Sequence, residues 1–269
     1  MSKSVSILGC GWLGLPLAKK LVSLDYSVKG SSTSAEKLNS LKASGISPFL
    51  ISISEDEVEG EIKQFLESEI LIINIPPKRK SPGAYVHQIQ QLIPHIAAST
   101  IKNVLFISST SVYPDTNTLV DENCVLPPEK ASGKVLLEVE KIFQSNKHFQ
   151  TTVLRFAGLI GPDRNPGRFL AGREIKVHPE AVVNLIYLQD CIGLIKTLLE
   201  KNIWGEVFNG CSTLHPSKAE FYTKAAILGQ FNPPDFIPDP DQKFKIISNQ
   251  KILSATDYSF VFPDPLASL

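Results

Sequence analysis

Short apolar runs of strand length alternate with helical patterns over the N-terminal half of the chain. The runs predicted to be strands are Ser4–Leu8, Tyr26–Gly30, Phe49–Ile53, Ile70–Ile75, Val104–Ile107 and Val153–Phe156. Between them apolar residues recur at helical spacing, as Leu13, Leu17 and Leu21 do after the first run. Strands that alternate with helices form right-handed crossovers and a parallel sheet covered on both faces. The sequence therefore predicts an α/β protein with a doubly wound parallel sheet.

The pattern changes after Gly158, where Gly, Pro and charged residues form an irregular stretch. Shorter predicted elements follow, and the proline-rich segment Asn232–Asp241 is predicted to be a loop. Asp190 is predicted to cap the N-terminus of its helix. We therefore expect a sheet domain over residues 1–157 and a small substrate lobe over residues 158–269, interleaved with the last sheet strands.

A glycine-rich turn, G-C-G-W-L-G, follows the first predicted strand and opens the first helix. In that context the first glycine permits a tight turn, the second lets a pyrophosphate approach the backbone, and the third allows close packing of helix on strand. The N–H groups at the helix N-terminus then face the phosphates. The residues predicted to contact a dinucleotide here are Gly9, Gly11, Trp12, Leu13 and Gly14.

The end of the second strand is where NAD enzymes usually carry an acidic residue that binds the ribose hydroxyls. This chain instead has hydroxyl residues there, Ser31, Ser32 and Thr33, and no acid before Glu36. Because a carboxylate would repel a 2′-phosphate and hydroxyls would bind one, NADP(H) is favoured over NAD(H), which stays the alternative. The fourth strand ends at the same edge of the sheet. It adds three predicted cofactor contacts, Asn74, Ile75 and Pro76.

Composition excludes several classes of protein. Lys plus Arg number 27 and Asp plus Glu number 27, so the surplus of cations that nucleic-acid binding needs is missing. No apolar run approaches the roughly 18 residues that cross a bilayer. The four cysteines have no metal-site spacing and are expected to be small buried side chains. These features predict a cytoplasmic protein with a small-molecule substrate and without nucleic acid, membrane or metal.

The segment Phe106–Pro114, F-I-S-S-T-S-V-Y-P, resembles the S-S-x-x-V-Y-G segment of extended short-chain dehydrogenases/reductases, the group of sugar-nucleotide epimerases and dehydratases. Leu154–Phe156, Gly161-Pro162 and Val183–Asp190 resemble further segments of that group. The spacing of the glycine turn is similar to that of an atypical subgroup that begins G-C-G-W-L-G. The resemblance spans most of the chain and implies a Rossmann-type fold that binds NAD(P). It also implies a homodimer as one assembly, formed through the helices of Tyr85 and Lys134.

In the resembling family the serine four residues before the V-Y tyrosine binds the reacting carbonyl or hydroxyl. Ser109 holds that position here, and Ser108 beside it is expected at the cofactor. The family's general acid/base is the tyrosine of Y-x-x-x-K, yet this chain has no tyrosine between Tyr113 and Tyr187. The dyad is therefore absent.

Two alignments decide what replaces the dyad. If Glu138 matches the glutamate that often follows the dyad lysine by four residues, Lys134 takes the lysine position and Lys130 the tyrosine position. Two cations four residues apart on a helix lower each other's pKa. Lys130 is then predicted to give or take the proton, with Lys134 on the nicotinamide ribose.

The second alignment matches Glu140 instead. Ser132 then takes the tyrosine position and Leu136 the lysine position, and neither residue can perform the family's proton transfer in the usual way.

Further basic and aromatic residues are candidates for substrate binding. Arg164 and Arg168 follow the G-P segment, in the region that covers the substrate in the resembling family, and arginine suits a diphosphate or carboxylate. Tyr85 is predicted to border the same pocket, and the basic run Lys78–Lys80 could attract a phosphorylated substrate. The sequence thus predicts an NAD(P)-dependent epimerase, dehydratase or reductase for a small polar, nucleotide-sugar-like substrate. The alternative is a non-catalytic NAD(P)-binding redox sensor or scaffold that lacks the tyrosine.

Overall fold

The structure, a computed structural model, describes residues 3–77, 81 and 83–269. In chain order its strands are β1 (Ser4–Leu8), β2 (Ser27–Ser32), β3 (Ser47–Leu50), β4 (Ser52–Ile53), β5 (Val58–Glu59), β6 (Ile70–Ile73), β7 (Asn103–Ser109), β8 (Leu119–Val120), β9 (Gln150–Phe156), β10 (Gly158–Ile160), β11 (Glu174–Val177), β12 (Leu185–Tyr187), β13 (Val207–Gly210), β14 (Asp235–Pro238) and β15 (Ile246–Ile247). Its α-helices are α1 (Gly14–Val22), α2 (Leu38–Ala43), α3 (Ile62–Phe65), α4 (Ala84–Ala97), α5 (Ala131–Gln144), α6 (Leu188–Lys201), α7 (Lys218–Leu228) and α8 (Gln250–Thr256).

A seven-stranded sheet has the strand order β13-β9-β7-β6-β1-β2-β3. Strand β1 is parallel to β2 and β6, and the pairs β2–β3 and β6–β7 are also parallel. The order runs outward in both directions from the neighbours β1 and β6, so the topology reverses between them. Ligands of open α/β sheets bind at such a reversal, outside the carboxyl ends of the strands. The predicted doubly wound fold is confirmed.

The backbone contacts divide the chain into two compact units. The first contains Met1–Val112, Lys130–Leu154 and Leu198–Val207. Its strand β6 is buried along its whole length, as a continuous apolar run between two neighbouring strands requires. Leu17 and Leu21 of α1 are fully buried, which matches the helical spacing in the sequence.

The second unit contains Tyr113–Glu129, Arg155–Thr197 and Phe208–Leu269. It holds three two-stranded parallel pairs, β10–β12, β11–β14 and β15–β8. The loop predicted over residues 232–241 is therefore wrong in its centre, where β14 pairs with β11. A two-stranded pair tolerates the proline because β14 ends at Pro238 and has only one neighbour to bond.

Asp190 does not cap a helix as predicted. Helix α6 already begins at Leu188, and the Asp190 side chain is fully buried. Its carboxylate accepts hydrogen bonds from the Tyr258 hydroxyl at 2.9 Å and from the backbone N–H groups of Val261 at 2.7 Å and Phe262 at 3.0 Å. The residue therefore anchors the C-terminal segment.

Three of the four cysteines are buried and all are unpaired thiols, as expected; Cys124 is only partly buried. Within the described part of the chain, no helix combines the length and the apolar character needed to cross a membrane.

Candidate functional site

Two glycines of the glycine-rich turn are required by the packing of the protein itself. Gly9 has φ +100°, and a Cβ there would lie 2.8 Å from the carbonyl oxygen of Asn74. A Cβ on Gly14 would lie 2.2 Å from the carbonyl oxygen of Gly9. Any larger side chain at either position would push backbone against backbone, so both glycines hold β1, β6 and the start of α1 close together.

Gly11 is different, because a Cβ built on it meets no described atom within 4 Å. The residue is exposed and precedes α1, whose first residues include Gly14. No side chain caps this helix start, since Leu13 occupies the cap position. The N-terminus of α1, with its partial positive charge and without a side-chain cap, therefore lies close to Gly11 in the chain.

A cavity of about 290 Å³ lies at this turn. Its walls come from the glycine turn, the end of β2 and the turn after it, the residues after β3, the end of β6 and one residue of α4. All of these elements belong to the first unit. The cavity therefore sits at the reversal of strand order, where a parallel sheet presents its carboxyl edge.

The hydroxyl residues at the end of β2 and directly after it divide into structural and accessible groups. Ser31 is buried, and its Oγ accepts the Gly9 N–H at 3.0 Å, so this serine holds the turn. Ser32 accepts the Ser34 N–H at 3.0 Å. Thr33 is exposed and lines the cavity. Lys37 also lines it, as a cation that the sequence prediction missed because it lies beyond the turn itself.

Asn74, Ile75 and Pro76 line the cavity on the side of β6. The Asn74 Nδ2 donates to the Gly9 carbonyl at 3.2 Å, which joins the two strand ends. The Tyr85 hydroxyl donates to the Ile75 carbonyl at 2.6 Å, and its ring is 1% exposed. Burial also raises the pKa of Tyr85. Tyr85 is therefore a core residue that fixes Ile75, a position that disfavours its predicted contact with substrate.

The residues that form the remaining wall of the cavity were also not predicted from the sequence. Ile51 and Ile53 line the cavity after β3, and Gln88 of α4 closes it. The Gln88 Nε2 donates to the Ile53 carbonyl at 3.0 Å. Only the tertiary placement of α4 brings this residue to the cavity, so no local sequence pattern could indicate it.

The two serines at the end of β7 have different environments. Ser108 is buried, and its Oγ donates to the Glu140 carboxylate at 2.6 Å. Ser109 is partly buried, and its Oγ accepts the Ser111 N–H at 3.2 Å. No described residue accepts the Ser109 hydroxyl proton, whereas the Ser108 hydroxyl already donates to Glu140.

The start of α5 carries the candidate proton-transfer residues. Lys130 has extended backbone and occupies the cap position of the helix, and Lys134 lies one turn later. Both lysines are exposed, as is Ser132, whereas Leu136 is buried. Because the buried helix carboxylate is Glu140, the geometry favours the alignment that places Ser132 and Leu136 at the dyad positions.

The predicted arginines lie in the second unit. Arg164 and Arg168 are both exposed, and the Arg168 guanidinium lies 5.8 Å from the centre of the Phe231 ring. Neither arginine lines the cavity at the glycine turn. The basic run Lys78–Lys80 lies outside the described residues, and no cluster of three metal-ligating side chains occurs in residues 3–77, 81 and 83–269.

The V-Y tyrosine, Tyr113, belongs to a buried polar network in the second unit. Its hydroxyl accepts a hydrogen bond from Arg155 at 2.7 Å and donates to the Asn209 Oδ1 at 2.8 Å. Burial raises the pKa of Tyr113 to about 12, although Arg155 acts to lower it. Tyr113 is therefore a neutral structural group and does not replace the missing acid/base tyrosine.

Known proteins resemble the chain over nearly its whole length. Protein YeeZ of Escherichia coli (strain K12) is 36% identical over 269 residues, which cover 98% of this chain and 98% of that protein. The solved structure of a candidate NAD-dependent epimerase/dehydratase from Methylobacillus flagellatus aligns with a TM-score of 0.79 at 22% identity, over 100% of this chain and 96% of that chain. UDP-glucuronic acid 4-epimerase from Bacillus cereus, in complex with NAD, aligns with a TM-score of 0.76 at 21% identity, over 98% of this chain and 96% of that chain. The chain matches no protein-family model.

Proposed function

The chain belongs to the family of protein YeeZ, and we propose that it is an NAD(P)-dependent enzyme of the epimerase, dehydratase or reductase type that acts on a nucleotide-linked sugar. The environment of Gly11 is the observation that supports the proposal most directly. The fold itself explains Gly9 and Gly14, but no described protein atom lies where a Gly11 side chain would be. A ligand that approaches the backbone closely at a helix N-terminus explains that glycine, and a pyrophosphate has the required charge and shape.

The cavity residues fit a dinucleotide that carries a 2′-phosphate. Thr33 offers a hydroxyl and Lys37 a cation in the segment after β2, and none of the described residues that line the cavity there is a carboxylate. A phosphate binds such groups, and a carboxylate at this position would repel it. We therefore propose that NADP(H) is preferred over NAD(H). On the other side of the turn, Asn74, Ile75 and Pro76 would hold the ribose and nicotinamide.

The bound nicotinamide would supply a hydride donor or acceptor at its C4 carbon. The chain must then hold the carbinol of the substrate and move the proton of its hydroxyl. We assign the first task to Ser109, whose hydroxyl remains free to donate. We propose Lys130 as the proton carrier and Lys134 as the ribose contact on the alignment through Glu138, because both are titratable groups at the start of α5; the buried Glu140 supports the other alignment.

The proposed substrate class follows from the arginines and the resemblance. Arg164 and Arg168 are exposed residues in the segment after Gly161-Pro162. A guanidinium binds a diphosphate through paired hydrogen bonds. The aligned epimerase from Bacillus cereus acts on UDP-glucuronic acid, which supports nucleoside-diphosphate sugars as the first compounds to test.

The proposal is tested by turnover with the cofactor-free protein. NADP or NAD is mixed with a panel of nucleoside-diphosphate sugars, and nicotinamide absorbance and the stereochemistry of the recovered sugar are followed. We expect an altered sugar with at least one substrate. Tight cofactor binding with no altered sugar across the panel would contradict an enzyme of this substrate class.

A non-catalytic dinucleotide sensor is the second candidate, because one specific observation favours it. The buried contact between Ser108 and Glu140 supports the alignment that leaves Ser132 and Leu136 at the dyad positions. A buried leucine moves no proton. For a sensor we expect NADPH and NADP to bind with different affinities and to change the protease sensitivity of the protein differently, with no turnover.

A further inference from the structure

Gln88 is the one polar side chain that α4 contributes to the cavity at the glycine turn. The residue as a whole is 8% exposed. Its Nε2 donates to the Ile53 carbonyl at 3.0 Å, which fixes the amide nitrogen against the backbone. The other amide atom, Oε1, must therefore point away from that carbonyl, and its function as an acceptor is set by the protein.

Among residues 3–77, 81 and 83–269, no donor is bonded to the Gln88 Oε1. No described buried side-chain oxygen or nitrogen is left without a partner, so Oε1 has access to the cavity that its residue lines. An acceptor that the protein fixes in a cavity wall and leaves without a protein donor is satisfied by water or by a bound ligand. A ligand that brings an N–H donor to this point would bind Oε1 in place of water.

The neighbours of Gln88 indicate which part of a dinucleotide lies there. Ile51 and Ile53 supply apolar wall beside it, as a flat aromatic base requires. The phosphate end of the cavity is at Gly11, and the ribose end is at Thr33 and Lys37, after β2. The strand order continues from β2 to β3, and Ile51 and Ile53 follow β3. The wall that contains Gln88 is therefore the one beyond the ribose.

We propose that the Gln88 Oε1 accepts a hydrogen bond from the exocyclic amine of adenine, so that this site selects adenine dinucleotides over hypoxanthine dinucleotides. The proposal rests on the proposed dinucleotide-binding function and adds its base specificity. Hypoxanthine carries an oxygen where adenine carries the amine, and an oxygen facing Oε1 replaces a hydrogen bond with a repulsion between two acceptors.

Gln91 provides a matched control on the same helix. Its Nε2 donates to the Glu55 carbonyl at 3.1 Å, so it tethers the same β4–β5 region as Gln88 does. Gln91 does not line the cavity. A change at Gln91 therefore tests the loss of a tether without the loss of the acceptor.

The experiment compares NADPH with its hypoxanthine counterpart, reduced nicotinamide hypoxanthine dinucleotide phosphate, by calorimetry on the full chain. The same pair without the 2′-phosphate is used if NADH binds more tightly. For the wild type we expect the hypoxanthine form to bind about tenfold more weakly, since a buried acceptor is left without its donor. Gln88→Leu should bring the ratio of the two dissociation constants close to one, whereas Gln91→Leu should leave it at the wild-type value.

The ratio of the two dissociation constants separates base recognition from a structural role of Gln88. A loosened cavity wall would weaken the binding of both dinucleotides equally and leave the ratio unchanged. Equal binding of the two forms by the wild type would overturn the inference while leaving the proposed function intact, and this arm needs no variant. A ratio that Gln88→Leu leaves unchanged would also overturn it. If the wild type binds neither dinucleotide, the proposed function and the inference both fail.

Discussion

The glycine turn and the start of α5 both carry short sequence signatures of chemistry, but they differ in what the fold uses. In the turn, the packing of the protein requires Gly9 and Gly14, and Gly11 alone faces open space. At the start of α5, Lys130 and Lys134 are exposed, and their assignment depends on their residue type. The geometry of the turn therefore supports a ligand at Gly11, whereas the start of α5 supports a role for its lysines only through their residue type.

This difference shows how a site can be recognised. A residue that the fold requires for packing is weak evidence for a ligand. An exposed lysine is also weak evidence, because most exposed lysines only interact with water. Gly11 is informative because the packing of the protein explains Gly9 and Gly14 but does not explain Gly11. The cofactor assignment thus rests on geometry, and the assignment of the proton carrier rests on chemistry that only turnover can test.

The largest expected effect separates the two kinds of glycine. Gly14→Ala should lower the free energy of unfolding by about 3 kcal/mol, because the new Cβ would lie against the backbone oxygen of Gly9. Gly11→Ala is the matched control and should change it by less than about 0.5 kcal/mol. Urea unfolding followed by circular dichroism measures both. Equal losses in the two variants would remove the distinction on which the comparison rests.

Lys130→Ala tests the start of α5. If Lys130 carries the proton, turnover with an identified substrate should fall about 100-fold while the affinity for NADPH stays unchanged. Lys141→Ala, an exposed lysine later on the same helix, should retain full turnover. Full activity in Lys130→Ala would show that another group moves the proton.

Gly11→Val should weaken NADPH binding by at least about tenfold, because a branched side chain fills the space that a pyrophosphate would need. The thermal unfolding temperature without ligand should stay near that of the wild type, since no described atom lies within 4 Å of the new Cβ. Unchanged NADPH affinity in a folded Gly11→Val protein would place the ligand elsewhere.

Lys37→Glu should lower the preference for NADPH over NADH by about tenfold, as a cation near the 2′-phosphate is replaced by an anion. Lys42→Glu changes the net charge equally on an exposed residue of α2 and should keep the wild-type ratio. The ratio of dissociation constants is the quantity to compare. A protein whose ratio is unaffected by Lys37→Glu would not read the 2′-phosphate with this lysine.

The sequence predicted the sheet and the glycine turn because both depend on local pattern. Fully apolar runs such as Ile70–Ile73 need burial on both faces, and the turn glycines follow a strand and open a helix. The parts that were missed depend on tertiary placement. Gln88 reaches the cavity only because α4 packs beside the β4–β5 region, and Lys37 lies past the turn in which a phosphate-binding residue was sought.

One wrong prediction and one disfavoured prediction have the same origin. Asp190 looked like a helix cap from its local sequence, yet it bonds to the chain near Val261, far away in sequence. Tyr85 looked like a pocket aromatic, yet its hydroxyl bonds to the Ile75 carbonyl. Polar side chains at element ends have several possible partners, and long-range packing decides among them.

The central claim is that the cavity at Gly11 binds a nicotinamide dinucleotide. Titration of the cofactor-free protein with NADPH, followed by reduced-nicotinamide fluorescence and calorimetry, tests it most directly. We expect saturable binding of one NADPH per chain, with altered nicotinamide fluorescence and a clear loss of affinity in Gly11→Val. No heat and no change in fluorescence at millimolar NADPH would contradict it.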